Sequence, residues 1–115
     1  MSIIITVSNQ KGGVGKTTTA AALASGIILV GKKVLGIDLD PQGNLGFCLG
    51  ADPEHPYSVL DVLNGSASVQ DAVCHADSCD LLISDITLSS SGLEIIPSSR
   101  EYILKNAIAP IINDY

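Results

Sequence analysis

The stretch Ser8–Ala20 reads SNQKGGVGKTTTA, and its reading decides the fold. It contains Gly15-Lys16-Thr17, the close of a phosphate-binding loop of the form G-x-x-x-x-G-K-[ST]. Counting back, the first glycine of that pattern falls where this chain has Gln10, and a second lysine, Lys11, stands inside the loop. The apolar, β-branched run Ile3–Val7 precedes the stretch and predicts a buried strand. A Thr- and Ala-rich run follows and predicts a helix from Lys16 to about Val30, with Gly31 as its stop. A strand that ends in a glycine turn and restarts as a helix points several backbone N–H groups into one hollow, and the helix start adds partial positive charge. Gly12, Gly13 and Gly15 let the backbone approach an anion closely. Lys16 is placed to reach the β- and γ-phosphates of a nucleotide, and the Thr17 hydroxyl to ligate Mg²⁺. The dinucleotide fingerprint G-x-G-x-x-G fails here, because Gly13 and Gly15 fit its first two positions but Thr18 occupies the third.

Working outward, Lys33–Leu39 predicts a second strand, broken sharply by Asp40-Pro41-Gln42-Gly43-Asn44. Asp38 and Asp40 are two apart, so in an extended strand both side chains leave on one face. The carboxyl ends of parallel strands are where such sheets bind ligands. Asp40 there either positions an attacking water, holds Mg²⁺ through water, or caps the turn before Pro41, and Asp38 poses the same choice. A Gly-, Pro- and Asp-rich segment runs from Gly46 to Pro56. Tyr57–Leu63 and Val69–Val73 read as short helices, and Leu81–Ser84 and Leu93–Pro97 as short strands. Ser98 or Ser99 is placed to cap a last helix from about Arg100, with Glu101 in its first turn. Its apolar residues, Ile103, Ala107, Ile108, Ile111 and Ile112, follow helical spacing, and Pro110 should kink or end it. In the first helix, Gly26 costs about 1 kcal/mol of helix propensity relative to Ala and offers close packing against the sheet. The alternation predicts a βαβ unit and a parallel α/β sheet flanked by helices.

Composition agrees with that class. The 115 residues make one small domain at most, 46% hydrophobic and poor in aromatics, which suits strands buried on both faces. Charged residues are only 16%, which argues against intrinsic disorder. The net charge of −6 argues against a nucleic-acid footprint in this segment. Once the loop lysines are assigned to phosphate, Lys32, Lys33, Arg100 and Lys105 are too few for a basic stripe. Cys48, Cys74 and Cys79 form an odd set and read as reduced thiols of a cytoplasmic protein. Cys74, His75 and Cys79 have no second close pair to complete a four-ligand metal site. His55, in a Pro-flanked loop, is expected in solvent. No stretch is apolar for long enough to span a membrane, since Ala20–Val30 is short and carries Ser25 and Gly26.

The loop KGGVGKTT, Lys11–Thr18, resembles the signature of the deviant Walker A family of phosphate-loop ATPases, which includes the ParA/Soj partition proteins, the MinD cell-division regulators and the nitrogenase iron protein. VLGIDLDPQGN (Val34–Asn44), YSVLDVL and LEIIPSS resemble the ParA/Soj branch in particular, and the likeness covers essentially the whole chain. The resemblance implies an N-terminal portion, 1–115, of a single ParA-like (AAA_31/CbiA-type) phosphate-loop NTPase domain. It implies ATP and Mg²⁺ as ligands, held by Lys11, Gly12, Gly13, Val14, Gly15, Lys16, Thr17 and Thr18. Lys11 would reach across a dimer interface to the partner's phosphates. Lys16 would be the ordinary loop lysine, Thr17 the magnesium ligand, Thr18 an α-phosphate ligand and Asp40 the residue that orients the attacking water. It further implies an ATP-dependent homodimer, a ParB-type (Spo0J-like) activator, and nonspecific DNA binding through a C-terminal half. Membership of the family also leaves open a MinD-like or cargo-positioning ATPase, or an incomplete nucleotide-binding or interaction fragment without hydrolysis. In the family a Walker B strand, ending in a second aspartate, follows a helix like Arg100–Tyr115 and pairs beside the phosphate-loop strand. The chain is therefore expected to be truncated before that strand and to expose apolar strand edges.

Overall fold

The computed structural model describes residues 2–7, 15–40, 42–84 and 97–115, with side chains of the last segment described from 102 onward. The helix α1, Lys16–Leu29, forms where its Ala-rich body predicts it, and it stops at Val30 and Gly31, whose N–H groups bond back to Ile27 and Ile28. The strand β1, Leu35–Ile37, follows. After it come α2, Asn44–Leu49, α3, Val59–Leu63, and α4, Val69–Ala72. Two short strands, β2 at Cys74–His75 and β3 at Asp80–Leu82, lead toward α5, Pro97–Ile108. A 3-10 turn at Ile112–Asp114 closes the chain.

Among the described residues the sheet has three strands, in the order β1-β3-β2. β1 and β3 are parallel, with Leu35 beside Asp80 and Ile37 beside Leu82, while β2 runs antiparallel to β3. Leu81 and Leu82 are adjacent, so their side chains leave the sheet on opposite faces. Each is fully buried, and each anchors its own core. Leu81 meets Leu45 and Leu49 of α2 and Ala20 and Ala21 of α1. Leu82 meets Val59, Val62, Val69 and Ala72 of α3 and α4 and Ile108 and Ile111 at the end of α5. The result is helix, sheet, helix. Burying each of those leucines contributes about 1.5–3 kcal/mol.

Local chemistry explains the ends. α3 starts with a capping box: the Ser58 hydroxyl accepts from the Leu60 N–H at 3.2 Å, and the Asp61 carboxylate accepts from the Ser58 N–H at 2.9 Å. α5 stops before Pro110, as its sequence predicts, because proline lacks an N–H and disfavours helical backbone in the residue before it.

Several expectations are corrected. Ile3–Val7 is not a buried strand: residues 2–7 pair with no described strand, and Ile3, Ile4 and Ile5 are 84%, 70% and 56% exposed. An extended segment without a neighbour has nothing to bond its N–H and C=O groups, so apolar sequence alone cannot hold it in a sheet. The expected βαβ unit is consequently missing from the described residues; the parallel partner of β1 is β3. The sheet is also not wholly parallel, since β2 is antiparallel. Gly26 does not pack on the sheet, as nothing lies within 4 Å of where its Cβ would stand. His55 is half-buried and its Nε2 lies 3.1 Å from the Ala72 carbonyl. α5 begins at Pro97 rather than near Arg100, which places Ser98 and Ser99 within the helix rather than before it. The strand expected at Leu93–Pro97 lies, but for Pro97, outside the described residues.

Candidate phosphate-binding site

Four of the residues assigned to the loop, Lys11, Gly12, Gly13 and Val14, lie outside the described residues. Gly15, Lys16, Thr17, Thr18 and Asp40 are inside them. Gly15 precedes α1 with φ 85°, and its carbonyl takes the first helical bond, from the Thr19 N–H at 2.8 Å. The N–H groups of Lys16, Thr17 and Thr18 therefore have no partner within the helix. Among the described residues no side chain caps this end, and no acidic residue stands in its first turn. Lys16 and Thr17 are half-buried, and Thr18 is exposed. An uncapped helix start with a lysine in its first turn fits an anion such as phosphate. Thr17, the expected magnesium ligand, lies in the first turn of α1, and no group of three His, Cys, Asp or Glu suited to a metal occurs among the described residues.

The structure brings Asp40 to this helix start. Its Oδ2 lies 3.2 Å from Lys16 Nζ, and both side chains are partly exposed. Its Oδ1 accepts from the Gln42 N–H at 3.0 Å. Asp40 thus caps the turn that follows it, one of the alternatives the sequence left open, and it also faces the loop lysine. The Gln42 N–H holds its carboxyl below the usual range; burial opposes this, and Lys16 adds to the lowering.

Asp38 is placed differently, and the two carboxylates do not share one face of a strand. β1 ends at Ile37, and Asp38 is 6% exposed. Its Oδ1 accepts from the Asp40 N–H at 3.0 Å and its Oδ2 from the Leu45 N–H at 3.3 Å. One side chain thereby ties together the start of the acidic turn and the first turn of α2. Burial pushes its carboxyl up, against the two N–H bonds. Asp38 is a structural brace, and Asp40 is the carboxylate presented to the loop.

Sequence reasoning missed two parts of this site. The helix α2 runs into the start of the Gly-, Pro- and Asp-rich segment, for which no element was expected; Gly46 sits inside it and Gly43 and Gly50 flank it. It forms because Leu45 and Leu49, four apart, both land on Leu81. Ser84 is the other: its hydroxyl donates to the Asp40 carbonyl across 44 positions of sequence. Only the pairing of β1 with β3 signals that contact, because the register puts the residues after Ile37 beside those after Leu82.

A partly parallel sheet between helices, with an acidic turn at a strand's carboxyl end facing a Gly-Lys-Thr helix start, defines a phosphate-loop nucleotide-binding protein. The family model described as an AAA domain (AAA_31) matches residues 2–115, and the chain belongs to that family. It is similar to the sporulation initiation inhibitor protein Soj of Bacillus subtilis, 40% identical over 121 residues that cover 100% of this chain and 47% of Soj. It is similar to the chromosome partitioning protein ParA of Caulobacter vibrioides, 39% identical over 112 residues, covering 94% of this chain and 42% of ParA. Among solved structures it resembles a cobyrinic acid a,c-diamide synthase from Mycobacterium smegmatis with bound ATP analog and magnesium, at 41% identity and a TM-score of 0.84, over 94% of this chain and 46% of that one. The chain thus spans about half the length of the proteins it matches. No described helix is long and apolar enough to cross a membrane.

Proposed function

We propose that this chain supplies the phosphate-loop half of a ParA-type ATPase, a single domain that binds ATP with Mg²⁺ and acts in chromosome or plasmid segregation. The observation that carries the reading is the juxtaposition of Lys16 with Asp40 at the start of an uncapped helix. A loop lysine to hold phosphates and a carboxylate beside it to orient water are the parts phosphoryl transfer needs, since that reaction runs on positioning and charge stabilisation. The two partition relatives support the cellular role, and the magnesium and ATP-analog complex of the structural relative supports the ligands. Magnesium, which Thr17 would hold, would supply positive charge to neutralise the charge that develops on the phosphates. In this reading the backbone of Gly12, Gly13, Val14 and Gly15 cradles the phosphates, Thr18 binds the α-phosphate and Lys11 reaches a second subunit's nucleotide. The reading extends to an ATP-dependent homodimer in the cytoplasm, to a ParB-type activator, and to nonspecific association with nucleoid DNA through residues beyond 115.

The test uses the protein as its gene encodes it. Asp40→Ala is expected to bind ATP and dimerise without hydrolysing it; normal turnover would reject Asp40 as the residue that orients water. Lys11→Ala is expected to bind ATP but to lose the ATP-dependent dimer or its turnover; sizing chromatography with ATP decides, and an unchanged dimer with unchanged turnover rejects that role. ATP turnover insensitive to DNA and to a ParB-type protein would remove the partition assignment and leave the phosphate chemistry, which is the part shared with the diamide synthase.

A further inference from the structure

Asp40 stands on a turn outside any helix or strand, yet every polar group it has is engaged. Its N–H goes to Asp38, and its carboxylate to the Gln42 N–H and to Lys16. Its carbonyl accepts twice, from the Gly43 N–H at 3.0 Å and from the Ser84 hydroxyl, which fills both lone pairs of that oxygen. Among these bonds, Ser84 is the one that ties the turn to the neighbouring strand. Ser84 is itself fixed. It follows β3, whose Leu82 carbonyl accepts the Asp38 N–H at 3.1 Å, and the carbonyl of Ile83 accepts the Val59 N–H at the start of α3 at 2.7 Å. Its Cβ also lies 3.9 Å from where a Cβ on Gly43 would stand, so it underlies both ends of the Asp40–Gly43 turn.

We propose that Ser84 is a positioning residue for Asp40: its hydroxyl references the acidic turn to the sheet and so fixes where the carboxylate meets the phosphate-binding helix. This rests on the reading of Asp40 as the residue that orients the attacking water. A carboxylate that orients a nucleophile has to be held within about 0.5 Å, and its own turn hydrogen bonds move with it. The bond to Ser84 does not, because Ser84 is anchored through β3 and α3. Asp38 braces the same turn, but its removal also changes a buried charge, whereas Ser84 is uncharged and leaves the electrostatics of the site untouched.

The experiment compares steady-state ATP turnover of wild type, Ser84→Ala, Ser84→Thr, Asp40→Ala and the double variant Ser84→Ala/Asp40→Ala, in the protein as its gene encodes it. Ser84→Ala is expected to lower kcat about three- to thirty-fold while the KM for ATP stays within about two-fold, since small misplacements cost rate before binding. Ser84→Thr, which keeps the hydroxyl, should recover most of the loss. In the Asp40→Ala background, Ser84→Ala should change nothing further. Hydrogen exchange should accelerate at the Gly43 amide in Ser84→Ala and not across the core. Unchanged kcat, a fall shared by kcat and global stability, or an equal further loss without Asp40 would overturn the proposal. Turnover retained in Asp40→Ala, or absent from wild type, would instead refute the hydrolytic reading of the site and this proposal with it. Wild-type turnover that needs Asp40 and is matched by Ser84→Ala would refute the proposal alone.

Discussion

Both oxygens of the Asp40 carboxylate are occupied, one by the Gln42 N–H and one by Lys16, and the second contact competes with any phosphate that Lys16 is to hold. A partly exposed ion pair of this kind is worth about 0.2–1 kcal/mol. Breaking it is part of the cost of binding nucleotide, so Asp40→Asn should bind ADP about two- to five-fold more tightly than wild type. ADP separates this effect from hydrolysis, and calorimetric titration measures it. Unchanged or weaker ADP affinity would show that the pair does not oppose binding. At the same scale Asp38 shows why a residue's type does not settle its role. Asp38 and Asp40 are the same residue two positions apart, yet one is buried under two backbone N–H groups and the other faces a lysine.

At the scale of elements, β1 and β3 are the frame on which the site hangs. Gly36 lies in β1 because a Cβ there would come within 2.8 Å of Leu81 Cδ1, with Leu45 and Leu49 methyls at 3.7 Å. Leu81 is fully buried and has little room to yield. Gly36→Val should therefore cost about 1–3 kcal/mol through overpacking, read as a lower midpoint in urea denaturation; an unchanged midpoint would mean that α2 shifts to make room. The other end of β3 is tied by Asp80, which pairs with His75 Nδ1 at 2.7 Å and accepts from the Tyr115 hydroxyl at 2.7 Å. Burial pushes its carboxyl up, but the bonds from Tyr115 and His75 outweigh this and leave it below the usual range. A lowered folded value means that the stabilisation is complete above the unfolded value, near about 3.9, and is lost as pH falls through the lower folded one. Thermal melts of Asp80→Asn between neutral and strongly acid pH should thus lose less stability on acidification than wild type. A variant that loses as much would place the acid sensitivity elsewhere.

For the molecule as a whole, the two described cores pack on β3, and Ile3, Ile4 and Ile5 belong to neither. Ile3, Ile4 and Ile5 stand in solvent as a contiguous β-branched run, the composition that seeds strand pairing between chains. Leu39, 51% exposed, and Phe47, 91% exposed, add apolar surface near the acidic turn. For the 115-residue chain, Ile4→Lys should reduce light scattering at high concentration without lowering the melting temperature. A clear fall in melting temperature would mean that Ile4 is buried in a strand in solution.

Much of the local structure was legible from residue type. The helix over Lys16–Leu29, the end of α5 before Pro110 and the Gly15-Lys16-Thr17 start all follow from backbone propensities and hydrogen-bond chemistry within a few positions of sequence. So did the placing of an aspartate at a strand's carboxyl end. Tertiary structure alone decided the rest. The apolar run Ile3–Val7 has the composition of a buried strand, but a strand exists only where another strand accepts its hydrogen bonds, and that lies outside the segment. The helix α2 exists against its glycines because Leu81 waits for Leu45 and Leu49. The partners of Asp40, Lys16 and Ser84, stand 24 and 44 positions away, so the pairing of β1 with β3 and the packing of α1 on α2 determine which side chains it meets.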